Sequence, residues 1–133
     1  MRLGALLLVS AVAAFGLGGG SDGGPAGVTV TIHYSHFHPE IVTVAAGQPV
    51  TITLQNDDPI AHEWIVGPPE VHARHRTGTE PFHGTLPTEL TIPAFSTRVT
   101  TLNFEHAAEY LYICHLPGHE AYGMVGTLRV VEH

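Results

Sequence analysis

Eight short stretches of this chain read as β-strands, several of them alternating apolar and polar residues with a period of two, and turn residues bound them. The runs are Val28–Ile32, Ile41–Val44, Val50–Leu54, Glu63–Val66, Glu89–Ile92, Val99–Phe104, Glu109–Cys114 and Thr127–Val131. All are rich in Val, Ile, Thr, Tyr and Phe, which suit a pleated, half-buried surface. Ala45-Ala46-Gly47-Gln48-Pro49 and Asn56-Asp57-Asp58-Pro59 punctuate them. A strand buries one face only, so eight of them with short connections predict an antiparallel β-sandwich. The stretch Gly67 to Thr88 breaks the pattern: it is Pro/Gly-rich and carries His72, His75 and His83. Pro68-Pro69 is placed to start a short helix through Arg76.

The first twenty residues have the order of an export signal: one charge at Arg2, an apolar run from Leu3 to Phe15, then small residues. Ala11-Val12-Ala13 fits a cleavage site. An uncleaved membrane anchor is the alternative, because Leu3 to Gly20 is uncharged. Residues 21–27 read as a flexible linker, which leaves 28–133 as a single domain, exported to the periplasm, the cell envelope or the outside. That domain has no lysine, and the formal net charge is −7. An acidic surface argues against a nucleic-acid partner. Small exported domains often rely on disulfides, but Cys114 is the only cysteine and needs another explanation.

Cys114-His-Leu-Pro-Gly-His119-Glu-Ala-Tyr-Gly-Met124 offers one. It places a thiolate, an imidazole and a thioether with four residues between each. Two histidines and a cysteine in a plane with a distant methionine suit copper cycling between Cu(I) and Cu(II). The second histidine must come from elsewhere, and His62, after the Asn56–Pro59 turn, is the best placed. A buried cysteine acting as a small hydrophobe is the plainer alternative. It leaves His119, Met124 and the Pro-Gly turn without a reason.

These residues resemble the cupredoxin family of blue copper proteins, over nearly the whole domain. Phe37-His-Pro-Glu-Ile-Val-Thr-Val-Ala-Ala-Gly-Gln-Pro-Val-Thr-Ile is similar to the family's early strands. Leu54-Gln-Asn-Asp-Asp-Pro-Ile-Ala-His62 is similar to the segment with the first ligand, and Tyr112 to Leu128 to the ligand loop and last strand. The resemblance implies a Greek-key sandwich binding one copper ion, with His62, Cys114 and His119 equatorial and Met124 axial. It also implies redox partners that dock near His119, over Leu116, Pro117, Ala121 and Tyr122. Two positions depart from the pattern. Glu63 stands where Asn, Ser or Thr often braces the cysteine loop. His115, beside the cysteine, resembles multicopper oxidases and copper nitrite reductases, where that residue binds a second centre.

Among the other histidines, His36 and His38 read as exposed loop residues near the copper end, with a secondary copper site or a partner-facing rim as the alternative. His72, His75 and His83 read as loop residues, with a metal-collecting flap as the alternative. His106 and His133 read as surface residues and His33 as structural. Three functions are compatible with this: a monomeric carrier of single electrons, a copper delivery or buffering protein, or a subunit of an oligomeric multicopper enzyme. The first is the expectation, which makes the protein no enzyme, with any membrane tether confined to the N-terminal segment.

Overall fold

A computed structural model describes residues 26–78 and 86–133. The expected export signal, most of the linker and His83 lie outside the described residues. Nine strands form two facing sheets: β1 (Ala26–His33), β2 (His36–His38), β3 (Ile41–Ala45), β4 (Pro49–Asn56), β5 (His62–Gly67), β6 (Glu89–Ile92), β7 (Thr97–Asn103), β8 (Ala108–Ile113) and β9 (Val125–Val131). The spatial orders are β2-β1-β4-β7 and β3-β9-β8-β5-β6. Two short helices, α1 (Pro69–Thr77) and α2 (His119–Tyr122), lie in the connections before β6 and β9.

The sandwich agrees with the alternation, and three details differ. His36–His38 is a strand rather than a loop, paired to β1 through Ile32 and Phe37. Only its central residue is buried, and three residues are too few to show a period. Ala26 and Gly27 are not linker: they continue β1 and pair with Val50 and Thr51. The pairings β1–β4 and β3–β9 are parallel, the remainder antiparallel. Alternation reports which face is buried and is blind to strand direction.

Side chains from both inner faces fill the space between the sheets. Val30, Ile32, Ile52 and Leu54 meet Trp64, Tyr112, Leu128 and Val130, all buried. Each such side chain contributes roughly 1.5–3 kcal/mol when fully buried, so the strands that carry the site rest on a dense core. One glycine is dictated by that packing: a Cβ on Gly126 would lie 2.1 Å from the Tyr112 ring. The ring is held there, its hydroxyl donating to the Pro39 carbonyl at 2.7 Å. The outer face of β5 is covered as well, by α1, so Ile65 is as buried as Trp64.

Candidate metal centre

His62, Cys114 and His119 are 52 and 5 residues apart in sequence and converge at one end of the sandwich. Their donor atoms lie within 4.8 Å of one another. His62 Nδ1 is 3.3 Å from His119 Nδ1, and Cys114 Sγ is 3.4 Å from that same nitrogen. His62 and Cys114 are fully buried, and His119 is half-buried.

The chain reaches this arrangement in two pieces. Buried Asn56 ends β4 and pins the turn before His62: its amide donates to the Ile60, Ile92 and Pro93 carbonyls, and its oxygen accepts from the Asp58 N–H. His62 then opens β5. Cys114 follows β8 directly, and the backbone folds back through Gly118 and Gly123, at φ of 83° and 110°, which only glycine adopts without cost. The amide of Met124 donates to the His119 carbonyl and that of Cys114 to the Met124 carbonyl. The loop therefore closes on itself and leaves Met124 fully buried beside Cys114.

Asp58 orients the first histidine. Its carboxylate accepts from His62 Nε2 at 2.9 Å and from the Tyr34 and Ser35 amides at 2.7 and 2.8 Å. Burial alone raises the Asp58 carboxyl, but these bonds outweigh it and hold the pKa below its ordinary value. With the Nε2 proton committed to Asp58, His62 presents the Nδ1 lone pair to the site, as metal-ligating histidines do. Burial lowers the pKa of His62 against the pull of Asp58, which favours the neutral, ligating form. The sequence reading took Asp58 for part of a turn; a carboxylate four residues before a candidate ligand was the available signal.

Glu63 does not prevent bracing of the cysteine. The brace is backbone, since the Glu63 N–H donates to Cys114 Sγ at 3.4 Å, and this needs no particular side chain. Burial raises the pKa of the Cys114 thiol, so a thiolate here requires a cation to compensate it. The proton count makes the same point. His62 Nδ1, His119 Nδ1 and Cys114 Sγ are three donors pointed at one another, and a metal ion satisfies all three at once. A soft sulfur with two imidazoles suits copper.

The other histidines divide. His106, His133 and His38 are exposed. His33 ends β1, 3.8 Å from Asp58. His36 is half-buried, its ring 5.0 Å from that of Tyr122. His72 and His75 are not on a loose flap: they belong to α1 and pack on His115, with His72 Nδ1 at 2.9 Å from His115 Nε2. Burial lowers the pKa of His72, and lowers that of His115 to about 4.

Comparisons with known proteins identify the family. A family model described as a cupredoxin-like domain matches residues 3–128. A copper-resistant cuproprotein, CopI, of Pseudomonas aeruginosa is 25% identical over 77% of this chain and 75% of its own length. CopI of Rubrivivax gelatinosus is 27% identical over 71% of this chain, which spans 59% of that relative. Among solved structures, auracyanin A, a blue copper protein of Chloroflexus aurantiacus, superposes with a TM-score of 0.65. It is 29% identical and covers 81% of this chain and all of its own.

Proposed function

As the chain belongs to the cupredoxin-like family and takes one copper ion, we propose that it is an exported carrier of single electrons. His62, Cys114 and His119 hold the metal in this reading, and Met124 caps it. The observation that carries the proposal is the convergence of three donors, two of them buried and one half-buried, in a site fixed from both sides. Copper supplies the one-electron couple. The protein's part is to hold its donors in one geometry for both oxidation states, so that little rearranges when the electron moves. Asp58 fixes the His62 ring, the Glu63 amide fixes the sulfur, and the closed loop fixes His119 and Met124.

His119 is the half-buried donor of the three, and an electron would leave a bound copper through it. Pro117, Ala121 and Tyr122 are exposed around it, an apolar rim suited to brief, weak docking of redox partners. No helix among the described residues is long and apolar enough to cross a membrane. Export, and any tether, rest on the sequence of the N-terminal segment. The multicopper reading would need histidines from further subunits to face His115, which here meets His72 of its own chain.

Copper handling is the second reading, favoured by the copper-resistance name of the CopI relatives. One experiment separates the two. The copper-loaded protein is cycled between ascorbate and ferricyanide in the presence of a strong Cu(I) chelator. A carrier keeps its metal and recovers its colour over many cycles. Transfer of copper to the chelator at the first reduction would give the function to delivery.

A further inference from the structure

A second group of imidazoles stands beside the first and takes no part in it. His72 and His75 are three residues apart on α1 and so share one face of the helix. They meet His115, whose side chain is 4% exposed. The His72 and His75 rings each lie 5.2 Å from the His115 ring, centroid to centroid. The corresponding separation of His62 and His119 is 5.1 Å.

The hydrogen bonds assign the protons. His72 Nε2 is 3.1 Å from the Leu111 carbonyl and therefore carries the hydrogen, which leaves its Nδ1 as a lone pair. His75 Nδ1 donates to the Val71 carbonyl at 2.8 Å, which leaves Nε2 free of a proton. Carbonyls that fix the far nitrogen in this way are typical of metal-ligating histidines. His115 is then the odd member. Its Nε2 must donate to His72 Nδ1, so its Nδ1 has no proton although Glu120 Oε2 lies 3.6 Å away. A cation on Nε2 removes the mismatch: the ring's one proton moves to Nδ1 and points at the Glu120 carboxylate.

We propose that His72 and His115 bind a second copper ion, with His75 beside them. Cu(II) favours a tetragonal arrangement of nitrogen donors, and bonds of about 2.0–2.1 Å at a right angle set two nitrogens roughly 2.9 Å apart. His72 Nδ1 and His115 Nε2 already stand 2.9 Å apart. Two carboxylates stand near the group, Glu89 at 3.8 Å from His75 Nε2 and Glu120 at His115, the latter shared with the Arg76 guanidinium. A cleft of about 570 Å³ bordered by His75, His115 and Glu120 gives an ion a way in. Among divalent first-row metals, Cu(II) binds such nitrogen donors most tightly. The metal's identity rests on the copper reading of the first site; the site itself rests on its own residues.

The test counts copper in the full chain after dialysis against buffered Cu(II), together with the electron spin resonance spectrum. The wild type is expected to hold two ions, one with narrow and one with wide hyperfine splitting. His72→Ala keeps the blue band and loses the wide signal; His72→Gln replaces it if the alanine variant does not fold. Cys114→Ala loses the blue band and keeps the wide signal, so the two sites fail separately. His38→Ala, an exposed control, keeps both. One ion in the wild type, or a wide signal that survives in the His72 variants because surface histidines supply it, overturns the proposal.

Discussion

Removing the carboxylate of Asp58 tests whether the first ligand is positioned by hydrogen bonds or by packing alone. Asp58 accepts three of them, from His62 Nε2, Tyr34 N and Ser35 N, and its side chain is 7% exposed. Bonds to a charged group contribute about 1.5–3 kcal/mol each. Tyr34 and Ser35 sit at φ of 50° and 55°, left-handed values that cost other residues roughly 1–2 kcal/mol apiece. Asp58→Ala lets that turn relax and its amides find water, while the buried His62 N–H is left without an acceptor. At the low end of the bond range, less the smallest relief of the turn, the net loss is about 2.5 kcal/mol. Asp58→Asn keeps one acceptor oxygen and loses about half of that. The same substitutions free the His62 ring, and loss of such a partner typically lowers metal affinity 10–100-fold. Urea unfolding of the metal-free protein and competition for Cu(I) read the two effects separately. An alanine variant within 0.5 kcal/mol of wild type, with unchanged copper affinity, would refute the reasoning.

Three further substitutions test other parts of the account. Gly126→Ala drives a methyl into the Tyr112 ring and breaks the bond to Pro39; overpacking of this kind costs roughly 1–3 kcal/mol, read as a lower thermal midpoint. Met124→Leu keeps the thiolate colour and raises the reduction potential in voltammetry, because a weak donor to Cu(II) is lost. Arg76→Ala removes the ion pair with Glu120, whose partners are 45% and 32% exposed; it shifts stability by no more than about 1 kcal/mol in the same urea assay.

Much of this could be read from residue types alone, because strand and loop signals are local. Strand-forming runs between turn residues marked eight strands, and the spacing from Cys114 to Met124 marked the candidate ligand loop. Pro68-Pro69 marked the start of α1 closely. What escaped depends on the meeting of distant segments. Asp58 looks like any turn aspartate until the β1–β2 turn brings the Tyr34 and Ser35 amides to it. His72 and His115, 43 residues apart, share no pattern in the chain and touch only because α1 covers β5. The parallel pairings of β1 and β3 were equally hidden, since direction leaves no mark on burial.

The central claim is that Cys114 and two histidines hold copper through a thiolate bond. The most direct measurement is the visible absorption spectrum of the full chain with one equivalent of Cu(II), taken beside that of Cys114→Ser. The account predicts an intense blue or green band in the wild type that vanishes in the variant, because no other thiolate exists to donate charge to the metal. A pale wild-type spectrum, or colour that survives without the sulfur, would contradict it.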